Sequence, residues 1–318
     1  MLRLFLDNRI GVLLLLPVFL LLYILTNALF TPANFGVSQA VSFFKLIDWG
    51  STGNTAAQFL LLLLNAVTLN WVFNSQEFLE KNTYIISLNY LLFNSFFIDF
   101  GKPSWILVSQ FFLILTLALF FGIRPQNDSR KPAFNAGFLI GISLLFNSLF
   151  ILLIPIAVLM LLVVRLLNFR ELFLLLLGII APVGLLYATQ YILQNDFQFP
   201  LSVAWSLQSL GYIQISILAI LHFILIFSVI GLRARLLKAS LRLKKQVQVL
   251  NIFMFSTWIL GLSAFIFMGQ NSLLSLMVLP LSFYFSYALL SSKLGISSHL
   301  FFYIILLSTL LKFMVLSF

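Results

Sequence analysis

The chain has no cysteine, which excludes disulfides, thiolate-held metal and cysteine nucleophiles and leaves the redox compartment open. Charge is nearly as scarce. Only 8% of residues are Asp, Glu, Lys or Arg, with 8 acids and 2 histidines in all, so proton relays and ion-coupled transport have few groups to use. No metal site and no cofactor are expected from this inventory. Strict alternation of apolar and polar residues is missing too, which excludes a lipid-facing β-barrel. What the chain does have is apolar bulk: 62% of its 318 residues are hydrophobic and 37 are Phe. That leaves too little polar surface for a water-soluble globule. Lipid is the solvent, and its apolar runs read as transmembrane helices because lipid forces each backbone amide to bond within its own segment.

Eleven such runs are predicted: Ile10 to Leu29, Ala56 to Val72, Tyr84 to Ile98, Trp105 to Phe121, Phe134 to Phe146, Phe150 to Val164, Leu172 to Leu193, Gly211 to Gly231, Val249 to Phe267, Leu273 to Leu290 and Leu300 to Phe318. The first is too long for a signal-peptide core and is read as retained. The fold class is therefore all-α, a polytopic bundle forming one integral membrane domain. The stretch AFNAGFLIGISLLFNSLFILLIPIAVLMLLVVR can be one overlong helix or a short hairpin over 134–164 that turns at Asn147. Cations in short loops stay on the cytoplasmic side. With a cytoplasmic N-terminus, the hairpin leaves only Lys45, Lys102 and Lys312 of the 18 cations outside, whereas a single helix moves most of them there. The hairpin is expected, with the C-terminus on the outer side of the inner membrane.

The net charge of +10 is thus a topology signal, and no nucleic-acid partner is expected. Its densest piece, RARLLKASLRLKKQ within 232–248, places Arg235, Lys238, Arg242 and Lys245 on one helical face. That predicts a cytoplasmic amphipathic helix anchored to anionic headgroups at about 1 kcal/mol per cation; docking of a cytoplasmic partner is the alternative.

Chemistry has few places to reside. His222 is the one ionisable side chain deep in a run, read first as hydrogen-bonded to a neighbouring helix and second as a site residue. Asn65, Asn70, Asn89, Asn94, Asn135, Asn147 and Asn251 predict interhelical hydrogen bonds worth about 0.6 to 2 kcal/mol each. Pro17, Pro155, Pro182 and Pro280 are expected to kink or end helices. Three acids fall outside: Asp48, Asp99 and Asp196. Asp48 follows Lys45 by three residues in FFKLIDWGSTGN, within an outer loop over 31–55 that is expected to hold an interfacial helix, and Asp99 precedes Lys102 by three. Each spacing suits a surface ion pair worth about 0 to 1 kcal/mol. Asp48 also stands where a catalytic carboxylate would face a lipid-borne substrate.

Residues 70–195, from NSQEFLEKNTYIISLNYLLFNS to FRELFLLLLGIIAPVGLL, resemble an uncharacterised multispanning inner-membrane family of the Bacteroidota, a domain of unknown function. The NAGFLIGISLLFNSLFILLIPIAVLMLL hairpin is similar to the short helix pair of GT-C-type glycosyltransferases. That resemblance implies an outer juxtamembrane helix after the first span, a polyprenyl-phosphate-linked sugar as donor, Asp48 as base toward an acceptor hydroxyl, and Lys45 and Lys102 near the donor phosphate. The chain departs from the pattern in having a solitary Asp in that loop and few outer cations. A non-catalytic subunit or scaffold on the same framework, binding a lipid or a partner membrane protein, fits those departures; a lipid-intermediate transporter is the third reading.

Overall fold

The computed structural model describes Phe5 and residues 10–29, 49–79, 81–98, 100, 104–123, 128–164, 168–193, 212–237, 239–268, 272–290 and 295–314. Among these there is no strand. A 3-10 turn, Ile10–Leu14, leads into α1 (Leu15–Leu29). There follow α2 (Gly50–Ser75), α3 (Ile85–Asn94), α4 (Ile106–Gly122), α5 (Arg130–Phe146), a 3-10 turn Ser148–Leu152, and α6 (Leu153–Val164). The chain continues through α7 (Phe169–Ile192), α8 (Tyr212–Leu236), α9 (Leu241–Met268), the single turn α10 (Ser272–Ser275), α11 (Val278–Leu290) and α12 (Gly295–Met314). Each of the eleven predicted runs overlaps described helix. Among the described residues six stretches are long and apolar enough to cross a membrane, including Gly50–Ser75, Phe169–Ile192 and Leu273–Leu290, whereas Ile85–Asn94, Ile106–Gly122 and Ser148–Val164 are shorter apolar helices.

The bundle is built round α3 and α11. All ten residues of α3 are buried, as is α11 from Val278 to Leu289. Neither sequence, IISLNYLLFN or VLPLSFYFSYALL, contains a charge, as a helix enclosed on every side requires. They meet through Phe93 on Phe285, 5.5 Å between ring centroids, and Asn89 Nδ2 donating to Ser286 Oγ over 2.9 Å. Helices α1, α2 and α12 pack on α3, and α8, α9 and α12 pack on α11; α8 closes on α11 where Gly231 lies against Ala288, too close for any Cβ.

The uncertain stretch turns back on itself. Asn147 is extended (φ −149, ψ 106), and its Oδ1 accepts from Leu149 N over 3.1 Å. Across the α5–α7 contact, Gly137 faces Leu175 and Gly141 faces Ile179, so both helices advance together and run parallel. A parallel pair needs a returning segment, and α6 supplies it. The contact is so close that a Cβ on Gly141 would lie 2.5 Å from Ile179 O, and Gly178 faces Phe134 O in the same way. Small residues let two backbones approach where lipid provides no hydrophobic drive between helices.

The loops sort into two ends of the bundle. At one, Tyr84 N donates to Phe5 O (3.0 Å), Phe78 packs on Phe121 (5.1 Å), Ser129 Oγ donates to Glu171 Oε1 (2.6 Å) and Arg242 pairs with Glu77 (2.8 Å). At the other, Asn27 Nδ2 donates to Phe100 O (3.4 Å), and Trp105 packs on Phe146 beside the Asn147 turn (5.4 Å).

Four expectations differ in detail. Of the interfacial helix expected within 31–55, residues 31–48 lie outside the described residues, and 50–55 form the first turns of α2. The basic segment 232–248 does not form one helix: Arg235 ends α8, Arg242 and Lys245 begin α9, and Lys238 lies outside the described residues. Gly50–Ser75 and Leu241–Met268 extend beyond their apolar runs because backbone hydrogen bonding continues into polar flanks that hydropathy does not register, whereas Ile85–Asn94 is shorter than its run at both ends. Of the four prolines, Pro17, Pro155 and Pro280 sit in first turns, where a missing N–H costs little, and only Pro182 lies inside a helix.

Candidate functional site

The chain enters α2 through Gly50 at φ 74, a left-handed backbone that suits glycine. Trp49 thereby sits over the helix start, where its backbone N–H donates to Asn54 Oδ1 over 3.4 Å. One turn on, Gln58 follows Asn54 on the same helical face, and both are buried. Across from them α4 begins with Trp105 as its N-cap. Between the two helices lies a cavity of about 390 Å³, lined by Trp49, Asn54, Ala57, Gln58, Leu60, Leu61, Ser104, Trp105 and Val108. Trp49 and Leu60, 58% and 66% exposed, form its open rim. The Nε1 of Trp105, one of the lining side chains, is buried and has no hydrogen-bond partner.

Behind the cavity the bundle is held by amides. Asn65 Nδ2 donates to Leu107 O (2.8 Å), fastening α2 to α4. Tyr90 OH donates to Gln110 Oε1 (2.7 Å), while Gln110 Nε2 reaches Asn94 Oδ1 (3.4 Å) and Ser275 O (3.3 Å). One side chain on α4 thus ties α3 to the α10 turn. Asn251 accepts from Tyr284 OH, joining α9 to α11. These are hydrogen bonds between helices. Asn147 instead caps its own turn, and Asn70 leaves its Oδ1 buried without a partner.

His222 is fully engaged. Its Nδ1 lies 2.7 Å from Leu218 O and its Nε2 accepts from Trp258 Nε1 at 2.9 Å. One nitrogen must donate to a carbonyl while the other accepts, which makes the ring the neutral Nδ1–H tautomer. Arg235, Arg242 and Lys245 are exposed at the Glu77 end, and Arg242 also reaches Gln76 Oε1 at 3.4 Å. Asp48, Lys45, Asp99, Lys102 and Asp196 lie outside the described residues. Only their sequence neighbours can be placed: Trp49 directly follows Asp48, Ser104 follows Lys102 by two, and both line the cavity.

Trp49, Gln58, Trp105 and Gln110 escape a reading that follows charges and asparagines. A signal existed in the Asn54–Gln58 spacing, which stacks two amides on one face at the start of a span. Among its described lining residues the cavity holds no acid, base or cation. Its walls suit an apolar chain, with amide and indole groups to hold a polar end. Among the described residues no group of three or more metal-binding side chains comes together. No protein-family profile, curated protein or solved structure matches the chain.

Proposed function

We propose that the chain is an integral inner-membrane scaffold whose cavity between α2 and α4 binds the chain of a membrane lipid. The N-terminus and the Arg242 end face the cytoplasm, the Asn147 turn and the C-terminus face outward, and the lipid or a partner membrane protein is what the bundle organises. The observation that carries this reading is the cavity itself: about 390 Å³, apolar for most of its wall, with an exposed rim at Trp49 and Leu60 and, on the lining Trp105, a buried indole N–H without a partner. No described group there is suited to proton transfer. The test is photo-cross-linking of the full chain in lipid nanodiscs with a diazirine-bearing acyl chain. Cross-links are expected on α2 and α4 around Ala57 and Val108, and Ala57→Trp removes them. Uniform labelling of every exposed helix, unchanged by Ala57→Trp, defeats the reading.

A second reading follows from the sequence neighbours of that rim. In a GT-C-like glycosyltransferase the same cavity would hold a polyprenyl-phosphate-linked sugar at the outer face, with Asp48 as base and Lys45 or Lys102 at the phosphate. The similarity to GT-C-type enzymes, and to the Bacteroidota family of unknown function, belongs to this proposal. Asp48→Asn decides it: transfer of sugar from a polyprenyl-phosphate donor falls by about 10² or more if Asp48 is a general base, and retention of full activity excludes that role.

A further inference from the structure

A second cavity with amides in its wall lies at the opposite end of α2. We propose that it seats a neutral, hydroxyl-bearing lipid headgroup at the Arg242 end of the bundle. It encloses about 400 Å³ between the last turns of α2, the chain leading into α3, and the N-terminal 3-10 turn, with Leu13, Val67, Asn70, Trp71, Asn82 and Tyr84 among its walls.

Position along the membrane normal comes first. Glu77, just beyond α2, pairs with Arg242 and marks the polar end of the helix. Val67 and Trp71, 43% and 59% exposed, face outward on the α2 surface that also carries exposed Leu60 and Leu64. Indole rings favour the boundary between hydrocarbon and headgroups. The cavity thus opens where a headgroup meets its acyl chains, with apolar side chains toward the hydrocarbon and amides toward the end of the bundle.

Its chemistry selects the class of occupant. Asn70 is 5% exposed, lines the cavity, and leaves its Oδ1 buried with no hydrogen-bond partner. An amide oxygen only accepts, so its missing partner is a donor, and a buried acceptor left alone costs about 1–3 kcal/mol. Asn74, by contrast, is engaged: its Nδ2 donates to Thr83 O (3.1 Å) and its Oδ1 accepts from Thr83 N (3.3 Å), which fixes the wall rather than reading a ligand. Among the described lining residues there is no Asp, Glu, Lys, Arg or His. A phosphate or an ammonium there would be a charge without a counter-charge, which a partly desolvated site disfavours. The hydroxyls of a sugar or similar polyol can donate to Asn70 and exchange hydrogen bonds with Asn82 and Tyr84 at no such cost.

This site is independent of the α2–α4 cavity. The experiment uses the full chain in phosphatidylcholine nanodiscs doped equally with glucosyl diacylglycerol, phosphatidylglycerol and phosphatidylethanolamine, followed by detergent exchange and mass spectrometry of the lipid retained per protein. Glucosyl diacylglycerol is expected to be enriched over the other two. Asn70→Leu is expected to reduce its retention roughly tenfold, the equivalent of one lost hydrogen bond. Val67→Trp, which fills the cavity from its exposed rim without touching the core, is expected to do the same while keeping the wild-type melting temperature. Leu185→Ala, on the exposed surface of α7 and lining neither cavity, leaves retention unchanged. Absence of enrichment, preference for either phospholipid, indifference to both Asn70→Leu and Val67→Trp, or equal loss in Leu185→Ala each overturns the proposal.

Discussion

Trp258 on α9 gives its indole N–H to the Nε2 of His222 on α8 across 2.9 Å, with the rings in edge contact at 5.5 Å between centroids. The bond spends both polar atoms of the pair inside the apolar bundle. Removing one partner leaves the other unsatisfied, whereas removing both does not. His222→Leu and Trp258→Phe should therefore each lower stability by about 1–2 kcal/mol, and the double variant should be more stable than the sum of the two implies. Thermal unfolding of all four proteins in one detergent checks this. Strict additivity would show that the bond contributes nothing.

The α5–α7 contact tolerates no side chain on its glycines. Gly137→Val drives a branched group into the carbonyl of Leu175, while Gly184, on the same α7 but with nothing within 4 Å of its Cβ position, has room. Gly137→Val is expected to cost at least about 1–3 kcal/mol through overpacking. Gly184→Ala is expected to be neutral or slightly stabilising, since alanine is the better helix former. Monodispersity and unfolding temperature after purification distinguish the two; equal behaviour would contradict the close packing.

The end of α2 stores a small strain at Glu77, whose φ of 56 is left-handed. Glu77 N donates to Asn74 O (3.1 Å), Phe78 N donates to Phe73 O (3.3 Å), and the Phe73 and Phe78 rings stack at 5.4 Å. This is a helix-ending turn that ordinarily takes glycine. The pair with Arg242 is half-exposed and worth no more than about 1 kcal/mol. Glu77→Ala loses the pair and keeps the strain, so it should be the less stable variant; Glu77→Gly relieves the strain and should lie close to wild type. Chemical denaturation ranks them, and the reverse order would show that the ion pair outweighs the backbone.

Sidedness is directly accessible because the chain has no cysteine to remove. Single cysteines at Phe169 and Leu237, both exposed at the Glu77 end, should react with an impermeant maleimide only from the cytoplasmic side. One at exposed Tyr212, at the other end of α8, should react only from outside. Labelling of Leu237→Cys and Tyr212→Cys from the same side would invert the proposed map.

Local composition determined that this chain is a bundle of apolar helices and roughly where each lies, and the placement of cations argued for a reversal near Asn147. Those properties are read one segment at a time, because lipid compels each backbone to satisfy itself and a charge is costly wherever it enters hydrocarbon. Which helices lie at the centre was not legible, since IISLNYLLFN looks no different from a lipid-facing run until its neighbours enclose it on all sides. The same holds for the role of Gln110, the engagement of His222 by Trp258, and the two cavities at the ends of α2. Each depends on groups distant in sequence meeting in space, and only the packing of whole helices decides which amide finds a partner and which, like Asn70, is left with an acceptor unfilled.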